Sequence, residues 1–155
     1  MLLRSSIPLL CLALAVTPAA RAQPAPAPAA GAPNLISLWL LDADTGKPIP
    51  NLKPLVYGEA GGKPLPITPL GDLYEVDITA QSSLTLGLIT SATPDATDFT
   101  ACVPQTIHAF DLQEIQSHGI APQNRCSKKN HAAAPGELVI FLRKTHWWEQ
   151  WKHME

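Results

Sequence analysis

The stretch from Leu35 to Tyr57 restricts this chain more than any other. It reads Leu-Ile-Ser-Leu-Trp-Leu-Leu-Asp-Ala-Asp-Thr-Gly-Lys-Pro-Ile-Pro-Asn-Leu-Lys-Pro-Leu-Val-Tyr. Leu35 to Leu41 is apolar on both faces except at Ser37, the pattern of a central strand or one covered on its outer face. Asp42-Ala-Asp44-Thr-Gly46 stops it. Asp side chains bond their own backbone in Asx turns, and glycine accepts a positive φ. Lys53 to Glu59 follows as a second strand centred on Leu55, Val56 and Tyr57. The expectation is the first β-hairpin of a small sandwich.

The strands that follow keep that character. Lys63 to Thr68 carries Pro64 and Pro66 and reads as an edge strand or irregular segment. Leu73 to Thr79 alternates, with Tyr74, Val76 and Ile78 as its buried face. Ser83 to Thr90 alternates as well, with Leu84, Leu86 and Leu88 on one face. Ser91 to Asp98 is polar and loop-like, and Val103 to Phe110 is the next candidate strand. Asp111-Leu-Gln-Glu114 is a capping box that opens a helix from Leu112 to His118, and Gly119 stops it. Leu138 to Leu142 is apolar on both faces and belongs centrally, beside the first strand. Thr145 is the candidate N-cap of a terminal helix, His146 to His153. Short strands separated by Gly and Pro turns define the fold class: all-β, a small antiparallel β-sandwich with a short helical insertion and a short C-terminal helix.

The first residues carry a different message. Arg4, the apolar run Ile7 to Val16 and Ala20-Arg21-Ala22 form the n-region, h-region and cleavage site of a signal peptide spanning residues 1–22. Residues 23–34 are a Pro/Ala-rich spacer that cannot join a sheet interior. Residues 35–155 are the folded domain. The expected location is the periplasm or the secreted fraction. Losing Arg4 and Arg21 takes the eleven Lys and Arg residues to nine, against thirteen Asp and Glu, a formal charge of −4. There is no basic stripe, which excludes nucleic acid as a partner. No second apolar run is long enough for a transmembrane helix.

Cys102 and Cys126 remain after cleavage. Two cysteines in an exported chain most simply form one disulfide, and their spacing matches neither C-x-x-C nor a zinc motif. In the chain-entropy model such a bridge is worth about 3–4 kcal/mol. It would staple Ala121 to Pro135, a loop that carries Arg125, Lys128 and Lys129.

Candidate sites are few. Asp42 and Asp44 resemble the start of a calcium loop, but its twelfth position is Lys53, which cannot ligate a cation. His108, His118, His131, His146 and His153 show no H-x-x-x-H pair and no accompanying carboxylate pattern, so no metal or other cofactor is assigned. Neither Ser82-Ser83 nor Ser117-His118 lies in a nucleophile elbow, and Glu75 and Asp77 sit on a wet strand face. No catalytic residue is assigned. Trp147, Trp148 and Trp151 form one stripe of the terminal helix; tertiary packing folds the rings back over the sandwich, with at least one left as the candidate contact to a partner or ligand.

Ile36-Ser-Leu-Trp-Leu-Leu-Asp-Ala-Asp-Thr-Gly-Lys-Pro-Ile-Pro resembles the opening of transthyretin-like, carboxypeptidase-regulatory-like β-sandwich domains, where an apolar strand leads into Asp-x-x-Thr-Gly-x-Pro-Ile/Val. Thr68, Gly71 and Tyr74 stand where that family has its next signature, and Ser83-Leu-Thr-Leu resembles a later strand. The likeness covers Leu35 to Thr90. It implies a seven-strand sandwich and an accessory or binding role. The family's hydroxyisourate hydrolases end in Tyr-Arg-Gly-Ser, which this chain lacks. The resulting expectation is an exported, non-enzymatic accessory or binding protein of the cell envelope, with a protein or glycan partner. The alternatives are a carbohydrate-binding module using the tryptophans and a small metal-dependent hydrolase using the C-terminal histidines.

Overall fold

The computed structural model describes residues 34–58, 62–94, 97–104 and 109–150, all within the compact unit Gly31–Glu155. The side chains of Trp147 and Gln150 are not among those described. The signal peptide and most of the Pro/Ala spacer lie outside these residues.

The domain is mostly β. In chain order its elements are β1 (Leu35–Asp42), β2 (Leu52–Tyr57), β3 (Ile67–Leu70), β4 (Leu73–Asp77), β5 (Ser83–Ser91), β6 (Asp98–Ala101), β7 (Phe110–Asp111), α1 (Leu112–His118), β8 (Glu137–Lys144) and α2 (Trp147–Gln150). The sheet runs β2-β5-β6-β8-β1-β4-β3, with β7 paired to β5 off this path. β1 and β8 are parallel, Ser37 opposite Glu137 through Asp42 opposite Leu142. The other pairs are antiparallel. The sheet is therefore mixed, where the sequence pattern predicted an antiparallel sandwich.

The two ends of this sheet come together. Tyr57 bridges Pro64, and the Leu65 amide donates to the Val56 carbonyl at 2.7 Å just before β3 begins. Further along, the Tyr74 hydroxyl on β4 accepts from the Leu52 amide at 3.0 Å and donates to the Leu52 carbonyl at 3.2 Å. The result is nearly closed. Its interior holds Ile36, Leu38 and Leu40 of β1 and Leu138, Ile140 and Leu142 of β8, with Val56, Val76, Leu84, Ile89 and Ile115 packed against them. A second apolar layer lies on the outer face of the same two strands: Leu41, Ala43, Val139 and Phe141 with Cys102, and with Trp39, Ala121 and Ala133 beside them.

Several expectations need correction. Leu35 to Tyr57 is a strand-turn-strand unit but not a hairpin. Only Leu41 bridges Pro48, with the Ile49 amide donating to Leu40, before the chain turns away at Asn51, whose φ is 56°. β2 then pairs with β5 instead. The rest of β1 is taken by β4, from Leu38 opposite Tyr74 to Leu35 opposite Asp77.

β5 does not alternate throughout. Leu84 is buried, but Leu88 is 54 % exposed and Ile89 takes the inward position. A register shift between Pro54 and Val56 reverses the faces. Gly87 sits at that irregularity, and a Cβ there would meet Tyr57 Cε2 at 2.5 Å. The tyrosine ring fills the space a side chain at 87 would occupy. The strand expected at Val103 to Phe110 is also displaced. β6 comes earlier, at Asp98–Ala101, where half-buried residues pair with both β5 and β8, and the strand at Phe110 is two residues long. Residues 105–108 lie outside the described residues.

The α1 helix runs from Leu112 to His118, within the expected bounds. Asp111 is its N-cap, its carboxylate accepting from the Glu114 amide at 3.0 Å, and Gly119 has a φ of 76° with its amide donating to Ile115. Leu112 and Ile115 are its buried contacts.

Replacing Leu40, which is 1 % exposed, with Ala should lower stability by about 2–5 kcal/mol. Leu35→Ala, at the 45 % exposed start of the same strand, should change it little. Urea unfolding checks both, and equal midpoints for the two variants would contradict the interior placement of Leu40.

Candidate functional site

The end of β8 builds the most distinctive surface feature. The chain leaves the strand through Thr145, whose amide donates to the Asp98 carbonyl at 2.8 Å and whose hydroxyl lies 2.8 Å from that of Thr100. That hydroxyl is engaged across to β6, so Thr145 does not cap α2. The N-cap is His146: its carbonyl accepts from the Glu149 amide at 2.9 Å, and its own amide donates to Glu149 Oε2 at 3.0 Å. This is the Glu half of a capping box.

Glu149 is also clamped from below. Arg143 Nη1 donates to its Oε2 at 2.8 Å and Nη2 to its Oε1 at 2.7 Å, a bidentate pair. The guanidinium first, then the His146 amide, hold the Glu149 carboxyl down at about 2. Glu149 in turn raises Arg143. With its helix start fixed in this way, the His146 ring stacks on Trp148 with centroids 4.2 Å apart and planes 7° apart. Trp148 remains 50 % exposed. The structure therefore presents one of the three tryptophans of the predicted stripe. The Trp147 side chain and Trp151 lie outside the described residues, as do His108 and His153.

The other distinctive feature is the strap from Ile120 to Gly136, which covers the outer layer of β1 and β8. The sulfurs of Cys102 and Cys126 are bonded at 1.99 Å, with Cα atoms 5.5 Å apart. Cys102 is buried at 3 % exposure, and Cys126 is exposed. Asn124 is the buried polar hub of the strap. Its Nδ2 donates to the Ala43 carbonyl and to Ser127 Oγ, both at 2.9 Å, and its Oδ1 accepts from the Cys126 and Ser127 amides. Ser127 Oγ also donates to the Ala43 carbonyl. At the far end of the strap, Trp39 Nε1 donates to Glu137 at 3.2 Å, and its ring faces His131 with centroids 6.4 Å apart. Asn124 and Ser127 escaped the sequence reading, although Asn-Arg-Cys-Ser is an Asx-turn sequence whose signal was there.

The remaining candidates have structural partners. Asp42 accepts from the Thr45 hydroxyl at 2.7 Å and the Thr45 amide at 2.8 Å. Those bonds, aided by Lys144, lower its pKa and identify the carboxylate as a turn-former. Asp77 is lowered in the same manner by Thr79. Ser117 Oγ lies 2.7 Å from His118 Nδ1, but the hydroxyl donates to the Gln113 carbonyl at 2.7 Å. The hydroxyl is thus engaged with the backbone of its own helical turn, as helix serines commonly are. Among the described residues no three His, Cys, Asp or Glu side chains cluster as a metal site, and no helix is long and apolar enough to cross a membrane.

Clefts among the described residues include three. One of about 510 Å3 lies beside Phe110, Asp111, Glu114 and Ile120, and one of about 420 Å3 beside Gly58, Lys63 and Gln81. The third, about 400 Å3, lies at the seam where β2 and β3 part, lined by Leu52, Pro54, Ile67, Pro69 and Tyr74. None is lined by Trp148.

Comparison with family models, with curated proteins and with solved structures finds no match for this chain.

The Glu149 carboxyl, followed by NMR, should titrate with a midpoint of about 2 rather than its ordinary 4.5. Because the folded value is depressed, the pair's contribution is present above the ordinary carboxylate range and is lost as pH falls through about 2. Arg143→Ala should return the midpoint toward the ordinary range, and an ordinary midpoint in the unaltered protein would rule the ion pair out. The sulfurs generate a second expectation. Protein purified without reductant should show a Cys102–Cys126 peptide pair by mass spectrometry, and Cys126→Ser should lose about 3–4 kcal/mol of stability. Free thiols would refute it.

Proposed function

We propose that this chain is an exported, non-enzymatic β-domain of the transthyretin-like, carboxypeptidase-regulatory-like class, and that it binds another component of the cell envelope through its Trp148 end. The signal-peptide pattern and the Pro/Ala tract support export to the periplasm or beyond. The Asp-x-x-Thr-Gly-x-Pro-Ile sequence from Asp42 to Ile49 supports the class.

The observation that carries the binding role is the mounting of Trp148. Its ring is half-exposed, yet it is stacked on His146 at the start of a helix pinned by the Arg143–Glu149 pair. A large apolar surface presented in a fixed orientation has already given up the side-chain entropy that binding would otherwise remove. Tryptophan and arginine are also the residues that most often dominate interfaces.

Purified protein should be retained on isolated cell envelopes, and Trp148→Ala should weaken retention by roughly tenfold. Equal retention of the two proteins would remove Trp148 from the binding role.

A further inference from the structure

The charges of the described residues are segregated along the strand direction. β1 and β8 run parallel and finish at the same end. That end carries Lys47 in the turn after β1, and Arg143 and Lys144 at the close of β8. Arg125, Lys128 and Lys129 are brought there as well, because Asn124 and Ser127 tie their loop to the Ala43 carbonyl. Lys53 joins them opposite Thr90, whose other partner Asp98 lies beside Thr145. The carboxylates of this end are Asp42, Asp44, Asp72, Asp98 and Glu149, and Thr45 engages Asp42 while Arg143 neutralises Glu149.

The opposite end is acidic. Glu75 and Asp77 face the start of β1, Glu137 opens β8, and Asp111 and Glu114 lie at the start of α1. Lys63 is the one Lys or Arg described there, next to the Tyr57–Pro64 bridge, and His118 closes α1 at the same end. Among the described residues, seven cations meet five carboxylates at one end, and one cation meets five at the other. Such a molecule has a dipole that orients it toward an anionic surface with the Trp148 end leading.

The shape of that end separates the possible partners. Small ligands and single glycan units are held in concave sites. The three clefts described above are lined by other residues, and Trp148 follows the last strand. A half-exposed indole at the end of the domain that carries these Lys and Arg residues is the combination that membrane–water interfaces select, where the ring sits at headgroup level and the cations meet lipid phosphates.

We infer that this end docks on a bilayer surface rich in anionic phospholipid. The inference rests on the reading that Trp148 marks the binding end, and it names the partner as a lipid surface in place of a protein or glycan. The indole enters the interface, Arg125, Lys128 and Lys129 lie against the headgroups, and the acidic end points away. No helix among the described residues is long and apolar enough to cross a bilayer, and the docking inferred is peripheral and reversible with salt.

The test uses protein purified after export and vesicles of phosphatidylcholine alone or with phosphatidylglycerol at three parts in ten. Co-sedimentation should be stronger on the anionic vesicles by roughly tenfold or more, given the usual gain per basic residue. It should weaken when salt is raised from about 0.1 M to 0.5 M. Trp148→Ala should reduce it roughly tenfold. The exposed pair Lys128→Glu with Lys129→Glu should reduce it at least as much without altering the thermal unfolding midpoint. This second variant decides the matter should Trp148→Ala disturb the helix. Equal binding to both vesicle types, or binding unchanged by the lysine variant, overturns the inference. If anionic vesicles are ignored while cell envelopes still retain the protein in a Trp148-dependent manner, the lipid inference fails and the broader binding role survives. Release from envelopes by a soluble acidic polysaccharide, with no vesicle binding, likewise assigns the end to a glycan and overturns the lipid surface.

Discussion

The parallel pairing of β1 with β8 is the constraint on which the rest of the domain depends. Parallel strands are stable mainly where both faces are covered. The interior covers one face of this pair with Leu38, Leu40, Leu138 and Ile140. The other face carries Leu41, Val139 and Phe141, which would lie in water without a second layer. The strap from Ile120 to Gly136 is that layer. Ile120 bonds both Glu137 and Val139, Arg125 bonds Cys102, and Asn124 and Ser127 converge on Ala43. The disulfide thus fastens a cover where apolar strand surface requires one.

Closure at the opposite side of the sheet follows a different rule. β2 and β3 approach but do not form a continuous ladder, and the seam between them is rich in proline: Pro54, Pro64, Pro66 and Pro69. Each lacks an amide donor, so the seam is a poor template for a strand from another molecule. Where the strands part, the Tyr74 hydroxyl satisfies the amide and carbonyl of Leu52 at once. One side chain does the work that a ladder would do elsewhere.

Much of this was legible residue by residue. The double-sided apolar runs placed β1 and β8 centrally and side by side, because an all-round apolar strand has nowhere else to go. Asp111, Glu114 and Gly119 marked α1, because caps are local chemistry. Tyr74, Val76 and Ile78 were found by alternation and are buried. What failed was whatever depends on a partner strand. The sequence of β5 alternates through Leu88, and nothing within it shows that Tyr57 will lie over Gly87 and reverse the faces. β6 is too short and polar to announce itself, and it exists because β5 and β8 flank it. Thr145 reads as an N-cap until Thr100 takes its hydroxyl and passes the role to His146. The strap's hub, Asn124, looks like any loop asparagine until Ala43 is brought beneath it.

The same distinction bears on where a binding surface can arise. A helix as short as α2 has no stability of its own. Its geometry is imposed by β8: Arg143 fixes Glu149, Glu149 fixes the His146 amide, and His146 stacks on Trp148. The exposed indole is thus coupled through three contacts to the strand that is buried on both faces, the most constrained element of the domain. Were Trp148 merely covering the interior, burial would hold it and this relay would be unnecessary. Half of it stays in water while its backbone and neighbours are pinned. A pinned, half-exposed indole of this kind is what the proposed binding role would use.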